Sequence, residues 1–116
     1  MKSCMLDCVL VTAIEGGSNY WCASILALPP RGARIDIGKQ YGGDEGLSSY
    51  LHKLPATVTT HEDGVAGTLT VAKLRTGIRM DAKVRGVAVA RWFDEHDADY
   101  ADNALQYAVF GKLVYG

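Results

Sequence analysis

The sequence lacks the features that are typical of nucleic-acid-binding, membrane-spanning and secreted proteins. Its 12 lysines and arginines against 13 aspartates and glutamates give a formal net charge of −1, so no general positive charge favours nucleic acid as a partner. No apolar run approaches the roughly 20 residues that cross a membrane. The first ten residues form too short an apolar segment for a signal peptide, and it is already interrupted by the acidic residue Asp7. We therefore expect a cytoplasmic protein with no membrane attachment.

Cysteine is also scarce, and its odd number does not suit a disulfide framework. Of the three cysteines, Cys4 and Cys8 are one helical turn apart and Cys22 lies in another segment, with no C-x-x-C. We expect free thiols in a reducing compartment. The chain also lacks G-x-S-x-G and a P-loop, so no catalytic residue and no cofactor is predicted. A Cys–His pair assembled in space remains an open alternative.

The patterning predicts one α+β domain over residues 1–116. The chain is long enough to bury a core without disulfides or metal. We expect a mostly antiparallel sheet of about three to five strands covered by two or three helices, a common layered arrangement. The predicted helices include Leu6–Ile14 and Asp99–Phe110.

The spacing of apolar residues along the chain changes most sharply within Leu6–Leu28. Its first apolar residues recur with helical spacing, with Ser3 as a candidate N-cap. Gly16 and Gly17 are expected to end this helix, because glycine readily adopts the left-handed conformation of a C-terminal cap. A strand, Tyr20–Leu28, is predicted to follow.

The middle of the chain reads mainly as loop and strand. Residues 29–46 are rich in glycine and proline and predict a loop interrupted by a short strand around Ala33–Ile37. Gly46–Leu54 suits either helical turns or a covering loop. Ala56–Thr60 and Val65–Leu69 predict a hairpin.

The second half of the chain is predicted to be largely helical. Thr68 or Thr70 caps a helix in which Gly77 indicates close approach of a backbone or a ligand. For Val84–Phe93, strand and helix both remain open. We favour a helix that ends near Met80, then a break and a second helical segment into Trp92.

The last predicted helix begins at an aspartate and ends at a glycine. Asp97 or Asp99 is its expected cap, and Gly111 its stop. Lys112–Tyr115 is then either a terminal strand or an anchored tail.

Charge is distributed unevenly along this half. Half of the chain's basic residues fall between Lys73 and Arg91, against Asp81 alone. Arg75 and Arg79 are one helical turn apart and share a face. Two guanidinium groups on one face suit phosphate, since each donates two hydrogen bonds. The alternative is a solvated face paired with the acidic residues that follow.

Those acidic residues also allow two interpretations. Asp97, Asp99 and Asp102, beside His96, have the oxygen ligands that a hard cation takes. Alternatively they support the start of the last helix, where free N–H groups favour carboxylates. We favour helix support and predict no metal site.

The turn after the first helix is the predicted ligand-facing region. Glu15 ends that helix, where the dipole disfavours a carboxylate, and either faces a ligand across the glycines or is an ordinary surface residue. A base would stack on Tyr20 or Trp21, although strand alternation sends their side chains to opposite faces. The predicted ligand-binding residues are Glu15, Gly16, Gly17, Tyr20, Trp21, Arg75 and Arg79.

Two strings carry a family resemblance, TAIEGGSNYW and DADYADNALQYAVFGKLVYG. Together they resemble a family of small uncharacterised bacteriophage and prophage proteins, over about 30 residues of the chain. The matching positions are Thr12, Ala13, Glu15, Gly16, Gly17, Tyr20, Trp21, Asp97, Asp99, Asp102, Gln106, Phe110, Gly111, Val114, Tyr115 and Gly116. The resemblance implies a phage origin, which would place the protein in the host cell cytoplasm, and it brings no activity.

These observations favour a phage-encoded binding protein that sequesters a nucleotide-type anionic signal and so counters a host defence. A small metal-assisted hydrolase is the first alternative, and an inhibitor that docks on a host protein without a ligand is the second. Large aromatic residues and the apolar segment Leu113–Tyr115 predict a homo-oligomer, because such residues are enriched at interfaces.

Overall fold

Four helices pack with an antiparallel sheet in the computed structural model, which describes residues 1–27, 34–35 (backbone alone), 51 and 54–116. The helices are α1 (Ser3–Thr12), α2 (Val71–Arg85), α3 (Val89–Glu95) and α4 (Ala98–Phe110). The strands are β1 (Cys22–Ala27), β2 (Arg34–Ile35), β3 (Ala56–Thr60) and β4 (Gly64–Leu69). The predicted α+β class is confirmed, with four helices in place of two or three.

The sheet has the strand order β2-β1-β3-β4, and every neighbouring pair is antiparallel. The predicted β3–β4 hairpin is confirmed, with Ala56 opposite Leu69 and Thr60 opposite Gly64. Gly64 has a φ of 76°, which only glycine adopts at no steric cost. Alternate residues of β3, Ala56 and Val58, are fully buried, so one face of the sheet covers the core.

The end of the first helix differs from the prediction. Instead of stopping at a left-handed glycine, the chain widens into a π-helix over Ala13–Gly17. Ser18 N–H then donates to the carbonyl of Ala13 at 2.9 Å, and neither Gly16 nor Gly17 has a positive φ. The predicted cap Ser3 is also wrong, because the N-cap is Lys2, with no side-chain hydrogen bond.

Helices α2 and α4 pack closely through Gly77. A Cβ at this position would collide with the carbonyl oxygen of Ala104 and lie 2.9 Å from the nitrogen of Ala108. The predicted close approach is therefore that of the α4 backbone. Leu74 and Ile78 flank Gly77 and are fully buried.

The break after α2 comes five residues later than predicted. Helix α2 continues past Met80 to Arg85 and ends at Gly86, which has a φ of 73°. The predicted second helical segment exists as α3 and includes Trp92.

The expected helix ends are otherwise present. Thr70 caps α2 by accepting from the N–H of Lys73 at 3.0 Å. Asp97 caps α4 by accepting from the N–H of Tyr100 at 3.1 Å, and α4 ends at Gly111 with a φ of 75°. The residues after Gly111 form a tail, not a strand.

Several predictions fall on residues whose structure is not described. The strand predicted at Ala33–Ile37 is seen only at its centre, as β2. The end of the first strand at Leu28 and most of Gly46–Leu54 lie outside the described residues. Within the described part of the chain, no helix is long and apolar enough to cross a membrane.

Candidate functional site

The turn before β1 is held against α4 by one buried carboxylate, that of Asp102. Its Oδ1 accepts from Ser18 Oγ at 2.8 Å and from Trp21 Nε1 at 2.7 Å. Its Oδ2 accepts from Tyr20 Oη at 2.6 Å and from Gln106 Nε2 at 3.2 Å. We name these five residues the Asp102 cluster. All four donors are electrically neutral groups.

Tyr20 and Trp21 therefore do not diverge as strand alternation predicts. The strand begins only at Cys22, so both residues belong to the preceding turn and both side chains reach Asp102. Trp21 is 2% exposed whereas Tyr20 is 52% exposed. Of the two rings, Tyr20 is the one that an external molecule can contact.

The residues after α4 complete this cluster. Gln106 Oε1 accepts from the backbone N–H groups of Val114 and Tyr115, both at 2.8 Å. Gln106 Nε2 also donates to the carbonyl of Tyr115 at 3.1 Å. The Tyr115 ring stacks on Trp21 with centroids 5.3 Å apart and planes 4° apart. The tail is thus anchored, one of the two predicted alternatives.

Two groups near the Asp102 cluster have raised pKa values. Desolvation by burial, reinforced by the hydrogen bond to Asp102, raises the pKa of Tyr20 to about 12. Burial raises the pKa of the Cys22 thiol to about 12. Cys22 is therefore a protonated thiol at neutral pH and a poor nucleophile. Within the described part of the chain, no histidine is hydrogen-bonded to a cysteine, so the Cys–His alternative gains no support there.

A surface pocket of about 190 Å³ opens beside the Asp102 cluster. Its lining comes from three segments, namely the turn before β1, the β3–β4 turn and the tail. The lining residues are Tyr20, Trp21, His61, Glu62 and Tyr115. His61 Nε2 lies 3.0 Å from the carbonyl oxygen of Asn19. This contact holds the β3–β4 turn against the turn before β1.

In the Glu-Gly-Gly motif, residues 15–17, the one residue with a clear role is a glycine that allows close packing. Glu15 and Gly16 are exposed, and a Cβ at Gly16 would meet nothing within 4 Å. Gly17 is buried, and a Cβ there would lie 2.7 Å from the carbonyl oxygen of Ala98. Gly17 is thus required for the close approach of the turn to α4.

Arg75 and Arg79 lie on the other side of α4 from this turn. Helix α2 contacts Ala104 and Ala108, each of which follows a member of the Asp102 cluster by two residues. Two residues correspond to about 200° around a helix. The structure therefore brings Tyr20 and Trp21 together but separates them from Arg75 and Arg79 by the width of α4.

A second buried aspartate, Asp81, lies on α2. Its Oδ2 accepts from Arg85 Nε at 2.5 Å and from Trp92 Nε1 at 2.9 Å. The guanidinium group of Arg85 lies 3.6 Å from the centre of the Tyr100 ring. We name these four residues the Asp81 cluster.

The acidic residues before and within α4 have separate roles. Asp97 caps α4, Glu95 pairs with Arg91 at 2.7 Å and Asp102 accepts the four hydrogen bonds above. Among the described residues, no group of three or more histidine, cysteine, aspartate or glutamate side chains converges as a metal site would require.

Neither a protein-family model, nor a curated protein, nor a solved structure matches the chain. The chemistry of the site therefore has to be argued from its own residues. Gln106, His61, Glu62 and Tyr115 are not among the predicted site residues, and for Asp102 the sequence favours support of the last helix over metal binding. The sequence signal for Asp102, Gln106 and Tyr115 is the C-terminal string of the resemblance, whereas Tyr20 and Trp21 are themselves among the predicted ligand-binding residues.

Proposed function

We propose that the protein binds a phosphate-bearing, nucleotide-type small molecule on the exposed face of α2. Three cations, Arg75, Arg79 and Lys83, follow one another at intervals of four residues. Like charges at this spacing destabilise a helix, so an anion beside them stabilises the bound state. Guanidinium groups suit phosphate because each donates two hydrogen bonds in a fixed geometry.

One observation carries this proposal: within the described part of the chain, no carboxylate pairs with Arg75 or Arg79. Asp81 is the sole acidic residue of α2, and it is buried within the Asp81 cluster. Arg75 and Arg79 make no hydrogen bond or ion pair with any described residue, including Glu15 and the acidic residues around α4. This favours an external anion over an internal partner for the two guanidinium groups.

The biological role is proposed on the resemblance. A phage-encoded protein that binds a nucleotide signal without converting it lowers its free concentration and blunts a host defence that depends on it. The base-stacking role of Tyr20 and Trp21 is not part of this proposal, because α4 separates them from Arg75 and Arg79.

The test combines ligand screening with matched arginine variants. Native mass spectrometry of the protein with a panel of nucleotides identifies a retained ligand. We expect Arg75→Ala and Arg79→Ala each to weaken its binding by about 1–3 kcal/mol, or about 5- to 150-fold, because a phosphate loses charged donors. Melting temperatures without ligand stay nearly constant, since neither side chain has a described partner.

Arg91→Ala is the matched control, because it removes the same charge from α3. Equal weakening by Arg91→Ala would attribute binding to net charge and contradict the proposed site. Conversion of the nucleotide would favour the hydrolase alternative. A panel with no retained or converted member would favour docking on a host protein.

We also propose that the protein self-associates. Both tryptophans are buried in the fold, so the support comes from the exposed apolar side chains of Val65, Leu113 and Val114, which are 71%, 44% and 48% exposed. Light scattering at micromolar concentration is expected to give a multiple of 12.5 kDa. A mass of one chain would contradict self-association.

A further inference from the structure

The surface pocket beside the Asp102 cluster has walls of a different chemistry from the face of α2. Among the described residues, no lysine or arginine lines it, whereas two tyrosines do, Tyr20 and Tyr115. Glu62, which carries a carboxylate, is a lining residue as well. The electron-rich faces of aromatic rings attract cations, so rings and carboxylate favour the same kind of ligand.

Two further carboxylates add negative potential around this pocket. Asp63 Oδ2 lies 3.4 Å from Tyr115 Oη, which donates to it. Asp102 lies behind Tyr20 and Trp21, and among the described residues it is bonded only to neutral donors. An anionic ligand would therefore be repelled here, whereas a cation would be attracted.

The Asp81 cluster shows what the chain itself places in such surroundings. There Arg85 donates to an aspartate that also accepts from a tryptophan indole, and its guanidinium group lies 3.6 Å from the ring centre of Tyr100. The Asp102 cluster has the same three kinds of side chain, an aspartate, a tryptophan and a tyrosine. In the described part of the chain, it has no guanidinium group.

The volume of the pocket sets the size of the group it admits. About 190 Å³ corresponds to roughly six water molecules at about 30 Å³ each. A guanidinium group on a short aliphatic stem has about this size. Guanidinium is also more weakly hydrated than ammonium and stacks flat on aromatic rings.

We propose that the pocket formed by Tyr20, Trp21, His61, Glu62 and Tyr115 binds an alkylguanidinium group. The group stacks against the exposed ring of Tyr20 and donates hydrogen bonds to the carboxylate of Glu62. It comes either from a free guanidino compound or from an arginine side chain of a partner protein. This inference is independent of the anion site proposed on α2. The two proposed ligands carry opposite charges, and the two sites lie on opposite sides of α4.

The test is a two-dimensional amide NMR titration with n-propylguanidinium chloride, using n-propylurea as a neutral probe of the same shape. We expect saturable shifts at the lining residues and at the indole N–H of Trp21 with the cation, and none with the urea. Equal shifts with both probes, or no saturable shift with the cation, would overturn the proposal.

Glu62→Gln is expected to weaken n-propylguanidinium binding by about two- to five-fold, the effect of removing an exposed ion pair. Asp94→Asn is the matched control, since Asp94 is exposed on α3 and the charge change is the same. An unchanged amide spectrum outside the pocket shows that each variant is folded. Equal weakening in the two variants would contradict a specific role for Glu62 and overturn the site.

A capped Gly-Arg-Gly peptide distinguishes the two sources of the group. Tighter binding of this peptide than of n-propylguanidinium assigns the pocket to an arginine of a partner protein. Equal or weaker binding of the peptide assigns it to a free guanidino compound.

Discussion

Asp81 and Asp102 are buried aspartates that each accept a hydrogen bond from a tryptophan indole, yet their surroundings differ. Asp81 shares one oxygen between Trp92 and the guanidinium of Arg85, one helical turn away on α2. Asp102 uses both oxygens for four neutral donors, three of them 81 to 84 residues away in the sequence. The first is a local ion pair, whereas the second is a carboxylate solvated by dipoles from distant segments.

The two arrangements are two ways in which a small domain holds a buried charge. A buried ion requires either an opposite charge or a full set of hydrogen bonds. At Asp81 the counter-charge comes from the same helix and needs little of the fold. At Asp102 the donors have to be assembled by tertiary structure. This carboxylate therefore joins the turn before β1 to α4, the helix that carries Gln106 and leads into the tail.

The substitution of aspartate by asparagine should separate the two clusters, with the largest effect at position 102. In Asp102→Asn an NH₂ group replaces one carboxylate oxygen. The two donors that were bonded to that oxygen then have no acceptor. Each donor left without an acceptor costs about 1–3 kcal/mol, so we expect a loss of about 2–5 kcal/mol. Urea unfolding followed by Trp21 and Trp92 fluorescence measures it.

Asp81→Asn is the matched variant and should cost less, about 1–2 kcal/mol. The amide oxygen can keep both hydrogen bonds, because Trp92 and Arg85 donate to the same atom, and only the charge is lost. If Asp81→Asn were as destabilising as Asp102→Asn, the distinction between the two clusters would be wrong.

Gly77 connects the two clusters, since it sets the distance between α2, which carries Asp81, and α4, which carries Asp102. Gly77→Ala is expected to destabilise the protein by about 1–3 kcal/mol through overpacking, because its Cβ meets backbone atoms of α4. Thermal unfolding measures this loss. Gly16→Ala is the control, and it should be neutral or slightly stabilising because its Cβ has open space.

The smallest expected effect is a loss of stability at alkaline pH that depends on the hydroxyl group of Tyr20, a donor to Asp102. The pKa of Tyr20 is raised to about 12 from the ordinary value of 10.0. A raised pKa contributes stability that is complete below pH 10 and is lost between about pH 10 and 12, because the unfolded state releases its proton first.

Tyr20→Phe should therefore lose less stability than the parent protein between pH 10 and 12. Cys22 adds a similar loss from about pH 9 upward in both proteins, so the difference between them isolates Tyr20. Urea midpoints at several pH values measure it, and parallel curves would show that the Tyr20 hydroxyl is not coupled to folding.

Local rules predicted much of the fold. The β3–β4 hairpin follows from two strand-like runs around Gly64, and Thr70, Asp97 and Gly111 end their helices as their chemistry predicts. The π-helix did not follow from the sequence. Gly16 and Gly17 are typical helix-ending residues, and the approach of Ala98 to Gly17 is a tertiary contact that no local pattern contains.

The site was harder to predict than the fold for the same reason. Asp102 is predicted to support the last helix because it lies near its start, whereas three of its four hydrogen-bond donors lie between positions 18 and 21. The basic character of α2 was readable from spacing. That α4 separates Arg75 and Arg79 from Tyr20 and Trp21 depends on how the helices pack, which periodicity alone does not reveal.

The stacking of Tyr115 on Trp21 also has a consequence for synthesis on the ribosome. Trp21 is translated 81 residues before its acceptor Asp102, and at 5–20 residues per second this is a delay of roughly 4–16 s. During that time the indole and the start of β1 have neither their hydrogen-bond acceptor nor their aromatic cover. The first turn of the protein is therefore among the earliest parts to be made and among the last to reach its native surroundings.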